Sequence, residues 1–199
     1  MPAKTTKIIT IGRSFGAGGM RVGRIIADSL EIPYYDMGIL KETAEKSGLA
    51  EKYLESIDEK EINDAALYLS VGFMTPAYTS VRQIAANAQR EVIEQIASEG
   101  PCVIVGRRAD EILKDKYKLL RVFISAEPED RIKRLMERDG MDEKAARKKI
   151  IKADKERAAY YNQFGGEGWG LASNYDICLN TSYMSFEQAA QIVIDLAKK

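Results

Sequence analysis

The chain has 199 residues, 45% hydrophobic and 30% charged, with 30 Lys+Arg balanced by 30 Asp+Glu; that composition is one of a single globular domain and excludes disorder and collagen. It contains no histidine, which excludes the Ser-His-Asp triad and the usual catalytic zinc sites and leaves any chemistry to run without imidazole. No run of about 18 apolar residues occurs, and the polar start MPAKTTK lacks the apolar stretch of a secretory signal, so the expectation is a cytoplasmic protein with no membrane partner.

Residues 6–12 (TKIITIG) are a β-branched run ending in glycine, and a helical pattern at Val22, Ile25, Ile26 and Leu30 follows, which predicts strand, loop and helix. IPYYD (32–36) predicts a short second strand. A polar helical stretch over 37–64 comes next, with 4 basic and 8 acidic residues from 41 to 64. Thr79–Glu99 predicts a long helix closed by Gly100-Pro101. CVIVG (102–106), apolar on every residue before the glycine, predicts a third strand buried on both faces. A short helix (109–114) leads to a fourth strand, LLRVFISA (119–126), and Pro128 opens a helix to about Glu137, punctuated by Asp139-Gly140. A charged helix over 142–164, a loop at 165–170, a fifth strand DICLNT (176–181) and a closing amphipathic helix from Phe186 complete the chain. Cys102 and Cys178 each sit in an apolar run and are expected as buried strand residues. Strands alternating with helices predict an α/β fold: a parallel sheet covered on both faces, with an all-helical insertion after the second strand.

The first strand delivers GRSFGAGGMRVG, with Gly16, Gly18 and Gly19 just before a helix. Glycines there permit positive φ and close backbone approach, so amides and the helix N-terminus can face a phosphate. As a dinucleotide fingerprint, Gly16-Ala17-Gly18-Gly19-Met20-Arg21 carries Arg at the third glycine, with Asp36 where a ribose-binding acid would lie. As a P-loop, the frame set by Gly18 places Arg13 at the first glycine, Gly19 at the lysine and Met20 at the Ser/Thr. The helical insert and a cationic stretch, with 17 basic and 12 acidic residues over 107–157, fit phosphoryl transfer to a second substrate.

Taken together, GRSFGAGG, IPYYD, CVIVGRRAD and SNYDICLNTS resemble the cytidylate kinase-like proteins, a branch of the P-loop nucleoside monophosphate kinases, over about residues 7–197. The resemblance implies a three-layer P-loop NTPase fold with a five-stranded parallel sheet in the order 2-3-1-4-5. It also implies one kinase-like domain: a core (6–36, 81–128, 165–199), an acceptor-binding insert (37–80) and a lid (about 129–164). ATP and Mg²⁺ are the implied cofactors and nucleotides the implied substrates. Nucleotide phosphates would be met by Arg13, Ser14, Gly16, Ala17, Gly18, Gly19 and Met20.

Phosphoryl transfer needs cations around the phosphates more than covalent chemistry. Gly19 offers no side chain at the lysine position, and Arg21, one turn behind the loop, is the leading substitute, with Arg24 and Arg13 nearby. By resemblance Arg107 follows the third strand and reaches the acceptor phosphate, Asp154 and Arg157 hold the acceptor base and the transferring phosphate, and Asp36 and Lys41 border the acceptor. Arg131, Arg134 and Arg138 recur at i, i+3, i+7, on one face of a lid helix, where arginines can close over the phosphates and exclude water; Arg131 and Arg134 thus join Arg21, Arg107 and Arg157 as the expected catalytic residues. For the metal, Asp36 and Asp110 are the nearby carboxylates, since Arg108 stands where these kinases carry an aspartate. The chain reads Asp36-Met37-Gly38 and Lys41-Glu42 where they read Asp-Ser-Gly and an arginine, so reaction type is better supported than substrate. A non-catalytic nucleotide-binding or regulatory module is the second reading and an NAD(P)-dependent oxidoreductase the third. Nucleic acid is not an expected partner: the basic excess is confined to one region, and Trp169, Tyr160 and Tyr161 are not interleaved with it.

Overall fold

A computed structural model of the chain describes residues 7–36, 38, 76–163 and 168–199. Strands β1 (Ile8–Arg13), β2 (Tyr34–Tyr35), β3 (Val103–Val105), β4 (Leu119–Ser125) and β5 (Ile177–Asn180) form one five-stranded sheet in the order β2-β3-β1-β4-β5. Every pairing is parallel, as the near-continuous apolar runs require of strands covered on both faces. The described helices are α1 (Gly19–Leu30), α2 (Pro76–Ser98), α3 (Ala109–Leu113), α4 (Pro128–Asp139), α5 (Glu143–Gln163) and α6 (Phe186–Ala197). Ile9 and Ile11 of β1 pack with Val22 and Ile26 of α1 and Val193 and Ile194 of α6 on one face of the sheet. Ile8 and Ile104 pack with Val92, Ile93 and Ile96 of α2 and Leu113 of α3 on the other. A third cluster, Ile132, Leu135, Ala146 and Ile150 with Phe15 against it, joins α4 and α5 to the loop after β1.

Two expectations change. In a dinucleotide half-domain the second strand lies beside the first, whereas here β2 pairs with β3 and is separated from β1; the glycine loop and Asp36 therefore do not form a dinucleotide fingerprint. Cys102 is buried as expected, but Cys178 is exposed, because β5 is the edge strand and its Cys face is not covered. Most of the expected acceptor insert, with Met37, Lys41 and Glu42, lies outside the described residues, as do Phe164 and residues 165–167.

Candidate functional site

The central strand β1 is hydrogen-bonded on both sides, Ile11 standing level with Val105 of β3 and Val122 of β4, so its carboxyl end opens between two neighbours. Beyond Arg13 the Ser14 amide donates to the Ile124 carbonyl at 3.0 Å, and the chain then turns through left-handed Gly16 (φ 81°) and Gly18 (φ 82°) into α1. Both need glycine twice over: a Cβ on Gly18 would overlap the Phe186 ring, and one on Gly16 would lie 3.0 Å from Leu135 Cδ1 and 3.2 Å from Arg131 Cβ. Ala17 is fully buried, its carbonyl accepting from the Thr181 hydroxyl at 2.9 Å. Gly18 caps α1 without a side-chain hydrogen bond. The first amides of α1 are thus left facing the loop, the arrangement that suits an anion.

Three arginines converge here from three elements. Arg13 ends β1; its stem passes Gly19, where a Cβ would lie 2.7 Å from Arg13 Cβ, and its guanidinium reaches Gly106, where a Cβ would overlap Nη1. Burial, then the charges of Arg157 and Arg107, pull the Arg13 guanidinium down to about 9, with Tyr34 and Asp36 acting the other way. Arg157 on α5 donates from Nη1 to the Arg13 carbonyl at 3.0 Å, stands 5.2 Å from the Phe15 ring, and is also lowered, chiefly by burial. Arg107 follows β3 in a turn of three left-handed residues, Gly106 (φ 81°), Arg107 (φ 58°) and Arg108 (φ 55°). Such a turn costs on the order of 1–3 kcal/mol at each non-glycine position and persists only where neighbours enforce it. Gln89, buried on α2, does so by donating to the Arg107 carbonyl at 3.1 Å.

The other expected cations have their own partners. Arg21 is exposed and pairs with Glu187 at 3.2 Å, its guanidinium 5.0 Å from the Phe186 ring. Arg24 lies over Tyr34, 3.9 Å from the ring centroid. Arg134 donates to the Thr181 hydroxyl at 3.0 Å and carbonyl at 2.8 Å and to the Gly16 carbonyl at 3.4 Å. Arg138 pairs with Asp139 at 2.6 Å. Arg131 binds Asp154 Oδ2 at 2.8 Å, and Asp154 Oδ1 accepts from the Phe15 amide at 2.7 Å. Thus Asp154 is the clamp between α5 and the loop. Met20 is exposed, its carbonyl accepting from the Tyr34 hydroxyl at 3.4 Å.

The two expected metal carboxylates differ. Asp110 is buried and takes a 2.9 Å hydrogen bond from the Tyr161 hydroxyl, facing α5 and not the loop. Asp36 accepts from the Gly38 amide at 3.0 Å and faces Arg13 and Tyr34; burial, then the Asp36 carboxylate, pushes the Tyr34 hydroxyl up to about 12. Sequence reasoning missed Phe15, Thr181 and Phe186, which hold the glycine loop in place, and Gln89, which holds the turn after β3. Phe15 had a signal, an aromatic residue inside a glycine loop, whereas the others act through contacts distant in sequence.

Comparison with known proteins agrees with this fold. The cytidylate kinase of Methanopyrus kandleri is 25% identical over 195 residues, 94% of this chain and 90% of its own length. A crystal structure of an uncharacterized protein from Eubacterium ventriosum is 30% identical, with a TM-score of 0.75 over 97% of this chain and 99% of that one. Shikimate kinase from Bacteroides thetaiotaomicron, 18% identical, shares the fold at a TM-score of 0.52 over 97% and 99% of the two chains. The cytidylate kinase relative and the family match below support a nucleotide kinase-like phosphotransferase, and the shikimate kinase supports the fold. Residues 8–183 match one family description, and on that match, with the glycine loop and the strand order already in place, the chain belongs to the cytidylate kinase-like family.

Proposed function

We propose that the protein transfers the γ-phosphoryl group of ATP to a nucleoside monophosphate or a phosphorylated acceptor of similar size. The observation that carries this reading is the convergence of Arg13, Arg107 and Arg157 on the end of β1, beside a glycine loop that opens a helix N-terminus. Like charges gather in a half-buried place where an anion offsets them, and arginine's planar fork suits phosphate oxygens. Gly16, Gly18 and Gly19 with Ser14, Ala17 and Met20 would cradle the donor phosphates; Arg107 and Arg157, with Asp36 and Lys41, would bound the acceptor. The α4–α5 hairpin would act as the lid, with Arg131 and Arg134 along its loop-facing side, excluding water so that the kinase does not become an ATPase.

Mg²⁺ fits the donor set in a limited way. It keeps several waters and needs only one or two carboxylates beside the substrate phosphates; Asp36, next to the arginines, would hold it, while Asp110 is turned to Tyr161. When bound, it neutralises charge on the phosphates. The chain's own residues position the donor and acceptor oxygens in line and hold the equatorial oxygens with guanidinium groups.

The test is ATP with Mg²⁺ and a panel of nucleoside monophosphates, with ADP followed by a coupled assay. Acceptor-dependent ADP with at least one member is expected; none with any member overturns the reading. Tight ATP binding by calorimetry without turnover would instead make the protein a non-catalytic nucleotide-binding module.

A further inference from the structure

In a P-loop the lysine after the last glycine meets the β- and γ-phosphates, and here that position is Gly19. Restoring a side chain at this position is sterically opposed, because even a Cβ would lie 2.7 Å from Arg13 Cβ and 3.0 Å from Arg13 Cγ. Further along, the Arg13 guanidinium occupies the space over Gly106 that a Cβ would fill. Two glycines, one on α1 and one after β3, are thus what allow this arginine to cross from the end of β1 to the end of β3.

We propose that Arg13 is the catalytic cation of this chain, supplying to the transferring phosphoryl group the charge that a lysine at position 19 would carry, and that Gly19 is the residue that admits it. The inference rests on the phosphoryl-transfer reading above and names the residue on which that reading depends. Arg13 Nε is sealed from solvent and has no hydrogen-bond partner; among the described residues Arg13 makes no ion pair, whereas Arg21, Arg131 and Arg138 are each tied to a carboxylate. The groups facing it are Arg107 after β3, Arg157 on α5, Tyr34 on β2 and Asp36 just after β2. An unsatisfied, partly desolvated guanidinium beside two others is held ready for an anion. In the transfer, an oxygen of the acceptor phosphate bonds to the γ-phosphorus of ATP while the bond from that phosphorus to the β–γ bridging oxygen breaks, its electron pair leaving on ADP. Arg13 gives and takes no proton; it stabilises the charge on the group in flight.

The experiment is calorimetry with inorganic pyrophosphate, together with the coupled ADP assay, on the unaltered protein, Arg13→Met, Arg13→Lys, Gly19→Lys and the double variant Arg13→Gly/Gly19→Lys. Arg13→Met should weaken pyrophosphate binding by about tenfold to a hundredfold, the range for losing a charge-assisted hydrogen bond. It should also lower kcat more than it raises KM. Arg13→Lys, which keeps the charge, should stay within about tenfold of the unaltered protein, and Gly19→Lys alone should bind as poorly as Arg13→Met. The double variant should regain at least about tenfold of what Arg13→Met loses. The proposal is overturned by equal pyrophosphate binding in Arg13→Met and the unaltered protein, by no pyrophosphate binding in the unaltered protein, or by a double variant no better than Arg13→Met. Arginine-dependent pyrophosphate binding in a protein that forms no ADP with any acceptor would instead sink the reaction while leaving the anion site assigned to Arg13.

Discussion

Asp110 lies beneath α5, and its carboxylate accepts a hydrogen bond from the Tyr161 hydroxyl at 2.9 Å, while Glu111 Oε1 stands 3.2 Å from the same hydroxyl. Burial raises the Asp110 pKa, and the Tyr161 hydrogen bond opposes that rise. A carboxyl whose folded pKa lies above its unfolded value favours folding below the unfolded pKa, and that contribution is lost as pH rises through the folded value. The Tyr161 hydroxyl therefore matters most when Asp110 is ionised. Tyr161→Phe is expected to lower unfolding free energy by about 1–3 kcal/mol at pH 7, the cost of leaving a buried acceptor without its donor, and by clearly less at pH 4. Urea unfolding at the two pH values checks this, and an equal loss at both would mean that the hydroxyl does not act on the carboxylate. Nothing in the sequence distinguishes this aspartate from a metal ligand, since its partner stands 51 residues away on another helix.

At the scale of elements, the α4–α5 hairpin is fastened to the loop after β1 by two different contacts. Phe15 packs on Ile132, Leu135, Ala146 and Ile150, and Asp154 bridges the Phe15 amide and Arg131. The Arg131 and Asp154 side chains are only 11% and 20% exposed, so this pair is screened little, and removing one partner leaves a largely buried guanidinium without its counter-charge. Asp154→Asn is expected to cost about 2–4 kcal/mol by that route, mostly as local opening: amide exchange should quicken at Phe15 and along α5 while β1 stays protected. Exchange that quickens equally throughout the molecule would show that the hairpin is not a separate unit. The elements themselves were legible because each strand is an apolar run bounded by glycine, proline or a polar residue, a signal set locally. What Arg131, Arg134 and Arg138 each do was not, because one shared helix face leads to partners as far apart as Asp154, Thr181 and Asp139. The same limit applies to Cys178, whose apolar neighbours in sequence do not reveal that its strand lies at the sheet's edge.

For the whole molecule, parallel strands in the order 2-3-1-4-5 bring Arg13, Arg107 and Arg157 to one end of the sheet, although 144 residues separate the first from the last. Zero net charge concealed this, and counting by segment caught two of the three: the basic excess of 107–157 supplies Arg107 and Arg157, while Arg13 comes from residues 1–106, which hold 11 basic and 14 acidic residues. A ligand bound at that junction contacts the core and the α4–α5 hairpin at once, so it should stabilise the chain as a unit. Binding to the folded form alone contributes about 2.7 kcal/mol at a free ligand concentration of 100 times Kd. For a chain of this length each kcal/mol moves Tm by about 2–4 °C, so saturating ATP with Mg²⁺ should raise Tm by about 5–10 °C. NAD(P) should leave Tm unchanged, because β3 stands between β1 and the strand that leads to Asp36. Thermal unfolding with each nucleotide checks both expectations. No rise with ATP at millimolar concentration removes nucleotide binding from the site, and a rise with NAD(P) alone restores the dinucleotide reading that the strand order opposes.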